Sequence, residues 1–249
     1  MRLLKIFSIL FLGALFGCSS NPPSISAQYQ GYSAKRILRE GETALSKQNY
    51  SEATKYFEAM DALYPFAAEA RQADLDIIYA YYMNDDYTSG MVAADRFIHT
   101  YPRDKDVAYA YYMKGYIELE STQNWLQKLY HSDPSDLDLK SLRSAFSSFN
   151  ELVQQFPDTI YAKDGYRQMI YIRNVLAAHE VVVANFYLDH KAYVAAINRA
   201  SYVVQHLQGS PKVYDALQIM VTSYKALDET EMANDVQRVL DMNFPRAKK

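Results

Sequence analysis

The chain has 249 residues, with 26 Lys and Arg against 29 Asp and Glu, a formal charge of −3. So weak and acidic a field argues against nucleic acid as a partner, since phosphate binding needs a basic surface. A single cysteine excludes an intrachain disulfide and a thiolate metal cluster, while 23 tyrosines suit helices that pack aromatic bodies and keep a polar tip near water.

Met1 to Lys5 is a short basic segment, and Ile6 to Phe16 is an apolar run too short for a stable membrane span. The run ends Leu15-Phe16-Gly17-Cys18-Ser19, which resembles the bacterial lipoprotein box. That resemblance implies removal of residues 1–17 as a signal peptide and acylation of Cys18. Loss of Arg2 and Lys5 then takes the net charge to −5. Ser19, where an aspartate would imply the inner membrane, implies the outer one. Each buried acyl CH₂ contributes ~0.8 kcal/mol, so several chains hold a protein firmly without a transmembrane helix. Residues 18–32, with Asn21-Pro22-Pro23 and Gly31 but no apolar period, are expected to form a flexible tether.

From residue 33 the apolar spacing turns helical. Ala53, Phe57, Met60 and Leu63 share one face. Pro65 ends that helix, because it lacks an N–H and disfavours α geometry at Tyr64. Leu75, Ile78 and Tyr82 open the next helix. Ala145, Phe149 and Pro157 repeat the intervals of Ala53, Phe57 and Pro65, and Tyr87 stands to Pro102 as Tyr50 stands to Pro65. Paired helices with a small residue, a Phe and a closing Pro at a period of about 34 residues carry the tetratricopeptide (TPR) signature. The fold class is therefore all-α: a TPR-like α-solenoid of about ten helices in five pairs over residues 33–245, with a basic tail at 246–249.

The units run 34–65, 68–102, 107–157, 159–208 and 211–245. In the first, Ile37, Gly41, Ala44 and Leu45 face helix B, and Asn49-Tyr50 makes the turn. In the second, Asn84-Asp85-Asp86 is the turn, and Met91, Ala94, Phe97 and Ile98 form the inner face. The third places Tyr109, Tyr112 and Tyr116 on one face with Tyr111 and Gly115 on the other. Its register stays open, because alignment on Gly115 and alignment on the repeated Tyr-Ala-Tyr-Tyr-Met text (79–83 and 109–113) give different insert lengths. The insert, 123–138, is either a contact loop carrying Trp125 and Leu126 or a tolerated one. Thr159 to Asp189 is one long helix or two nearly collinear ones, which makes the fourth unit atypical. Lys191–Leu207, Val213–Leu227 and Glu229–Met242 complete the set.

Chemistry is sparse. No glycine-rich phosphate loop and no nucleophile elbow occur. His179-Glu180 has Val183 where a zinc-binding helix would place a second histidine. His99, His131, His190 and His206 stand singly. No cofactor, metal site or catalytic residue is expected. The chain reads as a binding protein, not an enzyme.

Tyr64-Pro65-Phe66, the run from Leu75 to Tyr82, Asp95-Arg96-Phe97-Ile98, the run from Tyr109 to Gly115, Ala145-Phe146 with Phe149 and Leu152, and Val194-Ala195 with Asn198-Arg199 together resemble the BamD family of lipoproteins, over about Ser33 to Phe244. The resemblance implies a component of the outer-membrane β-barrel assembly (Bam) machine. Such a component is lipid-anchored on the periplasmic face of the outer membrane. Its N-terminal repeats take unfolded outer-membrane β-barrel proteins. Its C-terminal repeats dock on a POTRA domain of BamA, with BamC along the same scaffold.

For the precursor segment, Phe66, Tyr79, Tyr82, Tyr109 and Tyr112 are the candidate residues, since a phenol both packs and donates; the alternative is that these tyrosines only pack helix on helix. For BamA, the candidates are Asn198, Arg199 and Tyr202, with Arg199 meeting an acidic group. A competing reading is another TPR envelope lipoprotein acting as an adaptor for peptidoglycan or division enzymes.

Overall fold

The computed structural model describes residues 25–121 and 139–245. The leader with Cys18, the insert and the basic tail lie outside them. Eleven helices occur among the described residues, with no strand. The first, α1 (Ile25–Gln28), is a single turn. Ten longer helices follow as five pairs: α2 (Ala34–Ser46) and α3 (Tyr50–Leu63); α4 (Ala70–Met83) and α5 (Tyr87–Thr100); α6 (Val107–Glu120) and α7 (Lys140–Gln155); α8 (Ile160–Asp189) and α9 (Tyr193–His206); α10 (Val213–Ala226) and α11 (Thr230–Asn243). Each of the ten longer helices packs on the next in the chain, and α1 packs on α3, the stacking of a solenoid.

The repeat has a physical signature at each corner. In four of the five pairs the turn from the first to the second helix holds a non-glycine residue in the left-handed region, two residues before the second helix: Gln48 (φ 59°), Asp85 (φ 58°), Lys191 (φ 59°) and Asp228 (φ 61°). Asn49 and Asp86 then cap the following helices through their side chains. Four of the five second helices end alike. Tyr64, Tyr101, Phe156 and Phe244 each follow a last turn, with φ between −125° and −139°. Each precedes a proline, whose ring keeps that residue out of α geometry.

In the first and third pairs, contact is set by a glycine facing a phenylalanine. A Cβ on Gly41 would lie 2.5 Å from the Phe57 ring, and one on Gly115 would lie 2.8 Å from the Phe149 ring. This equivalence settles the register of the third unit in favour of alignment on Gly115. It also revises the expected faces of α6. Gly115 lies on the side that receives Phe149, which the Tyr112 and Tyr116 rings flank at 6.3 and 6.1 Å, while Tyr111 meets Phe156 at 5.6 Å. In the second unit the roles are exchanged, with Ile78 and Ala94 fully buried at the corresponding places.

Two apolar cores run along the stack, and α6 joins them. Val107, Ala110, Met113 and Ile117 belong to the first core, and Ala108 and Leu119 to the second. Residues 160–189 form one unbroken helix of 30 residues, about 45 Å long. The packed structure also starts earlier than the expected tether allows. Tyr29 is buried against Tyr56, with ring centroids 4.9 Å apart, and the Tyr64 hydroxyl donates to the Tyr32 carbonyl at 2.7 Å. Residues 25–32 therefore belong to the folded domain.

Candidate functional site

Tyrosines of α4 and α6 meet along one surface. Tyr109 lies within 5.5 Å, and Tyr112 within 5.4 Å, of the Tyr161 ring at the start of α8. Tyr112 also donates to Asp164 at 2.9 Å, and Gln168 donates to the Tyr116 hydroxyl at 3.2 Å. Burial pushes the Tyr109 hydroxyl well above its ordinary pKa, with the Tyr161 hydroxyl and the Asp76 carboxyl adding to the shift. Burial also raises Tyr112, and the bond to Asp164 adds to it. Tyr109 and Tyr112 are therefore largely packing residues. Tyr79 is the more open of the four, 36% exposed, whereas Tyr82 is half-buried like Tyr109 and Tyr112, and burial raises its hydroxyl too. Tyr79 meets Tyr50 edge-on at 6.1 Å, and Tyr82 lies beside Tyr87 at 6.3 Å.

Carboxylates line the same surface. Burial raises Asp76 to about 6, with Gln72 as its hydrogen-bond donor at 2.8 Å, and burial raises Glu120 as well. Phe66 is fully exposed in the turn before α4. Tyr82 lies at the far end of that helix, roughly 20 Å away at 1.5 Å per residue. The fold thus gathers the four tyrosines and leaves Phe66 apart from Tyr82.

The second group lies where α7, α8 and α9 meet. Asn198, Arg199 and Tyr202 lie on α9 and line a recess of about 610 Å³ with Tyr187, Glu180 and Arg143. Arg199 donates through Nη1 to Glu180 Oε2 at 3.2 Å. Arg143 places Nη2 3.5 Å from Glu180 Oε1 and donates through Nη1 to the Tyr202 hydroxyl at 2.6 Å. The Glu180 side chain is 4% exposed, and the two arginine side chains are 46% exposed. Tyr202 in turn stacks on His206 at 4.8 Å. Arg199 therefore already holds a carboxylate of its own chain.

Sequence reasoning found the α9 residues but not Arg143 or Glu180. In the sequence Glu180 stands out only as the neighbour of His179, and no local spacing links it to arginines on two other helices. Arg143 had no signal at all beyond its charge.

The chain matches a family model described as "Outer membrane lipoprotein" (YfiO) over residues 30–239. The outer membrane protein assembly factor BamD of Neisseria gonorrhoeae is 36% identical over 218 residues, 88% of this chain and 82% of the relative. The factor of the same name from Haemophilus influenzae is 34% identical over 244 residues (98% and 92%), and that of Vibrio cholerae 31% over 243 (98% and 99%). This chain belongs to the BamD family. Its members are outer-membrane protein assembly factors rather than enzymes, and the association with the outer membrane follows from the family. No described helix is long and apolar enough to cross a membrane. In this member of the BamD family, the α4–α6 surface and the α7–α9 recess are two places where polar groups stand beside aromatic side chains.

Proposed function

We propose that the chain is a periplasmic scaffold of the Bam machine, held on the outer membrane by lipid at Cys18. It takes segments of unfolded β-barrel precursors on the α4–α6 tyrosine surface and docks on BamA through the α7–α9 recess. BamC lies along the same scaffold where the organism has it. One observation carries the docking half: half-exposed arginines from two helices share a single buried carboxylate in an open recess. Such a recess offers cationic donors to an acidic partner, and arginine is enriched at interface hot spots. The tyrosine surface supports the precursor half, since Tyr79 and Tyr82 combine an apolar ring with a hydroxyl for an extended backbone.

Co-purification tests the docking half. Arg199→Ala is expected to lower BamA recovery by an amount corresponding to ~1–3 kcal/mol, with helical content intact; full recovery removes Arg199 from the interface. Photocrosslinking from Tyr79 and Tyr82 in membranes is expected to trap precursors. Cys18→Ser is expected to release the protein from outer-membrane fractions, and a variant that stays fully bound overturns the lipid assignment.

A further inference from the structure

We propose that Arg143 is a second partner-binding arginine, and that the buried Glu180 is a positioning residue holding Arg143 and Arg199 side by side so that together they take one acidic side chain of the docking partner. The inference rests on the docking reading above and adds to it two residues on different helices.

Charge is the first support. Glu180 brings one negative charge and the two arginines bring two positive ones. Among the described residues, no other acid forms an ion pair with either arginine. One positive charge is left over at the mouth of the recess, and one carboxylate would neutralise it.

Geometry is the second. The two Glu180 oxygens are divided, Oε1 toward Arg143 and Oε2 toward Arg199, so a single buried group sets the spacing of both guanidinium groups. Arg143 is fixed a second time by the Tyr202 hydroxyl, and its guanidinium carbon lies 5.5 Å from the Tyr202 ring centroid. A guanidinium has five N–H donors in a planar fork. The bonds to Glu180 and Tyr202 use only part of each set, and nearly half of each side chain remains exposed. Ordering a long side chain in advance removes that cost from the binding step.

The third support is the burial of Glu180 itself. A carboxylate buried where three helices meet is dearly desolvated, and an apolar residue of similar size would commonly serve stability as well or better. Its presence is accounted for by what it does to the two arginines.

The test uses the full-length protein and the purified periplasmic POTRA region of BamA, with the dissociation constant measured at fixed salt. Arg143→Lys keeps the charge and loses the fork. It is expected to weaken binding roughly tenfold. Glu180→Gln keeps the shape and frees both arginines; it is expected to weaken binding several-fold although it touches no partner atom. In the Glu180→Gln background, Arg143→Lys should cost far less than in the wild type, the non-additivity of residues acting as a unit. If Glu180→Gln folds poorly, Glu180→Asp, retracted by one methylene, is measured instead.

A Glu180 variant with lowered thermal stability but an unchanged dissociation constant overturns the positioning role. Tighter binding by that variant also overturns it, because Glu180 would then be a competitor of the partner. Unchanged binding by Arg143→Lys removes Arg143. If the wild-type protein itself fails to bind, the docking reading falls along with this inference; wild-type binding with unaltered variants sinks this inference alone.

Discussion

Replacing Gly115 by alanine would set a methyl group 2.8–2.9 Å from three atoms of the Phe149 ring. Alanine would otherwise favour this helix by about 1 kcal/mol over glycine. The ring has nowhere to go. Phe149 is fully buried, Tyr112 and Tyr116 flank it, and a Cβ at Gly165 of α8 would meet the same ring at 3.3 Å. Overpacking a filled core costs ~1–3 kcal/mol, and a pinched ring belongs in the upper part of that range. The net destabilisation is then about 1–2 kcal/mol, or roughly 2–8 °C in Tm for a domain of this size. Thermal unfolding followed by circular dichroism at 222 nm reads it. Gly90→Ala is the internal control, since its Cβ would meet the Cδ1 methyl of Ile117 at 2.9 Å, a side-chain end that has more freedom to turn aside. A Gly115→Ala protein as stable as the wild type, or one no worse than Gly90→Ala, would refute the claim that glycine sets the approach of α6 and α7.

Two further outcomes are expected. Glu118 is buried between α6 and α7, where Ser144 and Ser148 donate to its two oxygens at 2.6 and 2.7 Å. Ser148→Ala should therefore cost ~1.5–3 kcal/mol, the range for a hydrogen bond to a charged group, measured by urea denaturation. The Asp76 carboxyl is raised to about 6, with burial as the first cause and nearby Glu42 adding to it against Gln72 and Arg71. Its folded form binds a proton more tightly than the unfolded chain does, so its effect on stability grows less favourable as pH climbs from about 4 to 6. Asp76→Asn should accordingly be more stable than wild type at pH 7, by about 1–2 kcal/mol after allowance for solvent screening, and nearly equal to it at pH 4. A gap that is the same at both values would show that the Asp76 charge is not the cause.

These predictions rest on contacts of different sequence visibility. The alternation of small residue, Phe and Pro was visible in the chain because each acts locally: proline stops a helix through its own ring, and alanine or glycine permits close approach whatever lies opposite. That reasoning placed Ala53, Phe57, Ala145 and Phe149 in the core and paired the ten helices. The left-handed residues of the turns were not visible. Gln48 and Lys191 have no strong preference for that geometry, and only closure of the helix pair requires it.

The candidate site divides the same way. Tyrosines at helical spacing on α4 and α6 could be assigned to one surface from the sequence, because period 3.6 fixes a face. Whether each ring is open or covered depended on α8, whose Tyr161 closes over Tyr109 and Tyr112. Arg199 was legible as a charged residue on α9, but its counter-ion was not. Glu180 lies one helix earlier and Arg143 two helices earlier, and a pairing over such separations is made by packing angles rather than by spacing. The sequence alone determined the all-helical class, the proline stops and the repeat, since these follow from forces acting within a few residues. The carboxylate shared between two arginines was decided only by the tertiary structure, where three helices bring together groups that the chain keeps far apart.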